Sequence, residues 1–298
     1  MSDVVAIIVT FNPSIEALEE QLKCIEPDCD AIIVDSGSAA ELVAALRQLF
    51  TAYGAVELLE LDRNYGIAYA QNRGVELGQT QFPNAPYRLF LDQDSLPSST
   101  MVATLRANLD TLAAHGQAAI GPNLQDSISG SLTGFHQMNR WRWLRLQLPV
   151  GSGAVVEVAG LNSSGLFVHK NTLLTVGAFD ESLFIDHVDT EWSFKARFAG
   201  VKLFGVADAV MRHAMGENTI NYWFFGPREM PYREPNRHYY LFRNSILLQR
   251  RRYVPVVWKL WNVFKLILTC GFFCTCTRER SAQFKQMLRG FRDGLFPK

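Results

Sequence analysis

The chain has 298 residues, 48% of them hydrophobic and 19% charged, enough for one large α/β domain or two small ones and unlike a disordered composition. Its zero formal net charge hides an asymmetry: from Arg243 onward twelve Lys/Arg stand against Glu279 and Asp293, a net +10, leaving 1–242 at −10. The five cysteines (Cys24, Cys29, Cys270, Cys274 and Cys276) are odd in number and lack two separated Cys-x-x-Cys pairs, which argues against a disulfide framework or structural zinc and for a reduced, cytosolic setting.

In chain order, Ser2-Asp3 leads straight into Val4–Val9, too short for the apolar stretch of a secretory leader and without a basic segment before it. Val4–Thr10 reads as a strand and Ser14–Cys24 as a helix with Leu18 and Leu22 on one face. Ala31–Val34 is a second strand, Ala40–Phe50 a second helix, Val56–Leu61 a third strand, Ala68–Leu77 a third helix and Arg88–Leu91 a fourth strand. This β-α-β-α-β-α-β order predicts parallel pairing, right-handed crossovers and ligands at the C-terminal strand ends.

Four polar turns fall at those ends: Thr10-Phe11-Asn12-Pro13, Asp35-Ser36-Gly37-Ser38, Arg63-Asn64-Tyr65-Gly66 and Asp92-Gln93-Asp94. Each also suits a turn for local reasons, and Asn64 would serve as a cap for a helix beginning near Ile67. Four in succession point to a shared pocket. Asp92 and Asp94 lie on the same side of an extended backbone, and paired oxygen ligands suit a divalent cation that also takes substrate phosphates. Neither Gly-x-Gly-x-x-Gly nor the Walker pattern occurs, so a dinucleotide fold and a phosphate-cradling loop are not indicated.

TFNP, VDSGS, NYGIAYAQNRG and LDQDS, in this order and spacing, resemble the nucleotide-binding half of inverting glycosyltransferases with the GT-A fold. Gly177–Glu181, Phe184–Trp192, Arg197 and Gly200 resemble the acceptor-side segment that carries the general base. FIDHVDTEW followed by RHYYLFRNSILLQRR is similar to bacterial rhamnosyltransferases that use dTDP-L-rhamnose to build lipopolysaccharide, related surface glycans or rhamnolipids. The resemblance spans roughly 3–255 and implies a mostly parallel sheet flanked by helices, with a Rossmann-like nucleotide half at 1–100 and an acceptor half at 101–242; the charge asymmetry sets off a basic helical tail at 243–298.

The resemblance also implies roles. Asp94, with Asp92, would bind Mg²⁺ or Mn²⁺ at the donor diphosphate, Asp92 lying nearer the ribose or sugar. His213 matches a third metal ligand. Asp35 would accept a hydrogen bond from the nucleotide base, with Thr10 and Asn12 lining that pocket and Asn64, Gly66 and Asn72 packing the third loop against the nucleotide. Asn162 and Ser163 would approach donor sugar and acceptor. Many relatives carry Glu-Asp at the base position; here the pair is Val188-Asp189, so register places the base on Asp189, with Glu191 the second candidate. Without the resemblance, Asp189 reads as a surface carboxylate paired with Lys195 or Arg197, and Trp192 is either core or sugar platform. Another nucleotide sugar, a rhamnolipid acceptor, or a non-catalytic sugar-nucleotide and membrane-binding module are the alternatives.

In 256–276, Lys259, Asn262, Lys265 and Thr269 fall within one stripe at 100° per residue, opposite Trp258, Leu260, Trp261, Val263, Phe264, Leu266 and Ile267. With Arg250–Arg252 before it and Arg278, Arg280 and Lys285 after it, the segment reads as a helix in a membrane interface, its basic residues on anionic lipid heads. The alternative is a helix packed on the catalytic domain or a second subunit. The expected protein is thus peripheral on the inner face of the bacterial cytoplasmic membrane, binding a nucleotide sugar and a saccharide or glycolipid but no nucleic acid, with oligomerisation left open.

Overall fold

A computed structural model describes residues 2–127, 129–213, 219–223 and 227–297. The first half forms the expected alternation: β1 (Val4–Thr10), α1 (Ile15–Ile25), β2 (Asp30–Asp35), α2 (Ala40–Phe50), β3 (Val56–Glu60), α3 (Ile67–Gln81) and β4 (Tyr87–Asp92). Ends shift slightly, except that α3 runs on to Gln81 rather than stopping at Leu77. Then come β5 (Ser95–Pro97), α4 (Met101–Ala113), β6 (Ala118–Asp126), β7 (Phe135–Met138), β8 (Trp143–Leu146), β9 (Val155–Glu157), β10 (Phe167–His169), α5 (Lys170–Val176), α6 (Val188–Phe198) and β11 (Lys202–His213). A hairpin of β12 (Thr219–Trp223) and β13 (Pro227–Pro231) precedes α7 (Pro235–Gln249), α8 (Val256–Cys276) and α9 (Arg280–Leu295).

The main sheet runs β3-β2-β1-β4-β10-β6-β11-β5, with β9 also paired to β11. β1 pairs in parallel with β2 and β4, β2 with β3, and β6 with β11. β10 is antiparallel to both β4 and β6, so β6 and β11 point the same way as the first four strands. The C-terminal ends of β4 and β11 therefore meet one edge of the sheet. β1 and β2 are almost wholly buried, which is why they read as unbroken apolar runs rather than as alternation.

The chain divides into two compact units. One comprises Met1–Gln137, Leu144–Phe184 and Val188–His213; the other comprises Met138–Trp143, Ile185–His187 and Ala214–Lys298. Within the second unit α7 packs on α9: His238 and Gln283 share a hydrogen bond at 2.5 Å, and a Cβ at Gly290 would collide with the Tyr239 carbonyl oxygen. α8 departs from expectation. Asn262 in its polar stripe turns inward: its Nδ2 donates to Ser245 Oγ (3.2 Å) and its Oδ1 accepts from Gln249 (3.4 Å), while Trp258 and Leu266, expected opposite that stripe, lie on the Asn262 side of the helix and are buried too. Lys259 Nζ donates to the Arg251 carbonyl at 2.8 Å. Of the stripe expected to face lipid heads, Asn262 is thus buried with hydrogen-bond partners and Lys259 is half-buried, whereas Lys265 is exposed.

β4 also carries Arg88, which is 1% exposed. Its guanidinium donates to the carbonyls of Ala85 (2.8 Å), Tyr87 (2.9 Å) and Gly78 near the end of α3 (3.0 Å), and burial pushes its pKa below the usual value. Arg88→Ala would leave three carbonyls short of a donor and open a cavity beside β4. Urea unfolding should show a loss of about 3 kcal/mol or more.

Candidate active site

The turn after β4 is built by strand register. Asp92 closes β4, Gln93 and Asp94 form the turn, and Ser95 opens β5. β5 runs antiparallel to β11 with Ser95 opposite His213, so the pairing itself delivers the imidazole to the turn. His213 Nδ1 lies 3.1 Å from Ser95 Oγ and 3.5 Å from Asp94 Oδ1. Asp92, Asp94 and His213 each present a ligand atom, all within 4.8 Å of one another. The carboxylate, carboxylate and imidazole expected to hold a metal are thus brought together.

Residues not singled out in the sequence hold that turn. Gln21 on α1 is 1% exposed, and its Nε2 donates to the carbonyls of Asp92 (2.8 Å) and Ser95 (2.5 Å). Ser164 Oγ accepts the Asp92 N–H (3.1 Å) and lies 2.6 Å from Ser95 Oγ. The Gln93 amide clasps Phe11, accepting its N–H at 2.7 Å and donating to its carbonyl at 3.3 Å. Gln21 left one signal, a polar residue within the buried Leu18–Leu22–Ile25 face of α1. Within the Ser163-Ser164 doublet nothing marked the second serine. Ser163 gives its backbone carbonyl to the Leu166 N–H (3.0 Å), and Asn162 is exposed.

At the ends of β1 and β2, Thr10, Asn12 and Asp35 also converge. Asp35 Oδ1 accepts from Thr10 Oγ1 (3.0 Å) and Ser38 Oγ (2.5 Å), and its Oδ2 accepts the Ser38 N–H (2.9 Å). Thr10 and Asp35 are fully buried, so in this structure they clamp the two loops from beneath rather than line a surface. Asn12, exposed and at φ 48°, donates its N–H to Ser38 Oγ (2.7 Å) and accepts the Ala39 N–H (3.0 Å).

The third loop differs from expectation in two respects. Asn64 does not cap α3: Gly66 is the capping residue, and Asn64 Oδ1 accepts its N–H, at 2.9 Å. Gly66 needs its missing side chain, since at φ 96° a Cβ would lie 2.5 Å from the Phe184 carbonyl oxygen, which accepts the Ile67 N–H at 2.8 Å. Asn72, expected against the nucleotide, is instead spent inside the protein. Its Nδ2 donates to the Phe179 carbonyl (3.0 Å) and Glu181 Oε1 (2.8 Å), and its Oδ1 accepts the Phe179 N–H (2.9 Å).

On α6 the two candidate bases separate by burial. Glu191 is 1% exposed and lies 3.7 Å from Lys195 Nζ, whereas Asp189 remains partly exposed in the first turn, its Oδ1 accepting the Thr190 N–H at 2.7 Å. Lys195 also donates to the Ala178 carbonyl and Arg197 to that of Val158, so both cations are engaged away from Asp189. Trp192 is core: it is 1% exposed, donates to the Gly177 carbonyl at 3.2 Å and packs on Phe179.

Known proteins resemble this chain in sequence and fold. A family model described as "Glycosyltransferase like family 2" matches residues 11–222. The dTDP-rhamnosyl transferase RfbF of Shigella flexneri is 30% identical over 99% of this chain and 96% of its own length. Glycosyltransferase AglE of Haloferax volcanii is 24% identical over 62% of this chain and 56% of its own. Among solved structures, GalNAc-T7 with UDP, GalNAc and Mn2+ superposes with a TM-score of 0.62 at 13% identity, over 99% of this chain and 56% of that one. Staphylococcus aureus TarS 1–349 in complex with UDP does so at 0.60 and 14%, over 99% and 81%. At such identities the structural likeness speaks for the fold alone. With the family match running from the Phe11 turn past the His213 strand end, this chain belongs to glycosyltransferase family 2, built on the GT-A fold.

Proposed function

We propose that this protein transfers L-rhamnose from dTDP-L-rhamnose, with inversion, to a hydroxyl of a bacterial surface saccharide or glycolipid. The observation that carries the reading is the Asp92–Asp94–His213 cluster at the sheet edge, in a chain alignable almost end to end with a dTDP-rhamnosyl transferase. Two carboxylates and one imidazole fit a divalent cation that prefers oxygen ligands and keeps positions for phosphate and water. Asp92, Asp94 and His213 would hold Mg²⁺ or Mn²⁺, which when bound supplies positive charge to the leaving diphosphate.

In a single displacement the acceptor oxygen bonds to the anomeric carbon as the carbon–oxygen bond to dTDP breaks. The acceptor proton passes to a carboxylate. Asp189 suits that role because it stays accessible, while Glu191 is enclosed with Lys195. Gln93 couples the metal turn to the Phe11 backbone, so donor phosphate and nucleotide loop would be positioned by one element.

Calorimetry should show dTDP-L-rhamnose binding with Mg²⁺, lost with EDTA, and weaker binding of UDP-glucose; a preference for UDP-glucose would refute the rhamnosyl reading. Mn²⁺ titration followed by electron paramagnetic resonance should lose at least about tenfold in affinity in Asp94→Ala and His213→Ala, and about tenfold in Ser95→Ala through the imidazole it orients. Asp189→Asn should leave the donor Kd nearly unchanged and lower kcat by about a thousandfold. Full turnover in that variant would remove Asp189 as the base.

A further inference from the structure

We infer that the exposed apolar faces of α8 and α9 are a docking surface for an anionic lipid bilayer, seated in its interfacial layer. With Trp258 of α8 at 0°, its buried partners Asn262, Leu266 and Phe273 fall at about 40°, 80° and 60°. Val256, Leu260, Phe264 and Ile267 fall opposite, at about 160°, 200°, 240° and 180°. All four are exposed, Leu260 to 69% and Ile267 to 64%. Lys259 and Lys265, at about 100° and 340°, border the inward side. The apolar face thus points away from the residues that anchor the helix.

α9 repeats the pattern independently. Its inward face is Gln283, Met287, Gly290 and Gly294. Phe284, Leu288, Phe291 and Leu295 form an exposed i, i+4, i+7, i+11 stripe. Beside that stripe, on the side away from the buried face, stand the exposed Lys285, Arg289 and Arg292. An apolar stripe edged by cations matches a layer of acyl chains beneath anionic head groups.

Length and composition alone would let α8 cross a membrane. Its inward face carries Asn262, and Phe273 of α8 shares a core with Met287 of α9, so a crossing α8 would draw the cations of α9 toward the bilayer centre. A second copy of this chain is a poorer occupant, because a two-fold contact would set the basic borders of α9 against their own equivalents. Lipid satisfies both features at once.

The test uses the full chain in flotation with vesicles of phosphatidylcholine alone and of phosphatidylcholine with about one-third phosphatidylglycerol. Wild type should bind the anionic vesicles at least about tenfold more tightly and be released by high salt. Ile267→Glu with Leu288→Glu, both at exposed positions, should lower that binding at least about tenfold with an unchanged circular dichroism spectrum and Tm. Lys285→Glu should weaken binding to anionic vesicles only. Four results would overturn the inference: folded protein that binds neither vesicle, equal binding to both, and bound protein that resists high salt and alkaline carbonate as a spanning helix would. The fourth is a concentration-dependent dimer, abolished by the double variant, without vesicle binding.

Discussion

Two carboxylates one residue apart must be held together before any cation joins them. With ligand atoms within 4.8 Å, Asp92 and Asp94 repel by about 1 kcal/mol in water and about 3 kcal/mol at an effective dielectric near 20. The sheet edge is arranged around that constraint. Gln21 pins both ends of the turn through backbone carbonyls, Gln93 ties its middle to the Phe11 backbone after β1, and Ser164 holds the Asp92 amide. These bonds are made by backbone groups of the turn and by the Gln93 amide, at 2.5 to 3.3 Å. His213 arrives by the β5–β11 register and brings an imidazole nitrogen to the turn without adding a negative charge.

The parallel half was legible because its signals are local. Buried strands read as apolar runs, and each crossover helix carries its own periodicity. Asp92, Asp94, Asp35 and Asp189 were legible as positions, since strand ends and helix starts can be placed from pattern. Their surroundings were not. Ser164 reaches the Asp92–Ser95 turn from 69 to 72 positions away, and Gln21 from as many as 74, contacts that no window of sequence contains. Asn72 shows the converse failure. An asparagine on the right helix looks available to a nucleotide until Phe179 and Glu181, more than a hundred positions on, consume its amide.

α8 shows why amphipathicity gives a face but not its partner. The same stripe of Lys259, Asn262, Lys265 and Thr269 suits head groups or a polar protein neighbour, and hydropathy cannot choose between them. Ser245 and Gln249 decide it, because an asparagine so deeply buried needs hydrogen-bonding neighbours, and α7 supplies them. Once that side is spent inward, the remaining apolar side is the part that still lacks a protein partner among the described residues, and α9 offers a second one like it.

The segment leading to Asp189 carries strain that no sequence pattern announced. Phe184 adopts φ 63°, ψ −66°, the rare γ-turn geometry, and Asp186 and His187 follow at φ 63° and 64°. Non-glycine residues in such regions cost on the order of 1–3 kcal/mol each and persist only where neighbours over-determine them. Here they do. Asn244 Nδ2 donates to the carbonyls of Ile185 (2.7 Å) and Asp186 (2.9 Å), Arg233 and Arg237 reach the Asp186 carboxylate at 3.2 and 3.1 Å, and His187 Nε2 lies 2.9 Å from Ser245 Oγ. The strained segment is thus fixed at several points, and in the sequence it directly precedes α6, of which Asp189 is the second residue. In the base role proposed above, Asp189 would have to lie within hydrogen-bond reach of an acceptor hydroxyl, where a misplacement near 1 Å can cost about a hundredfold in rate.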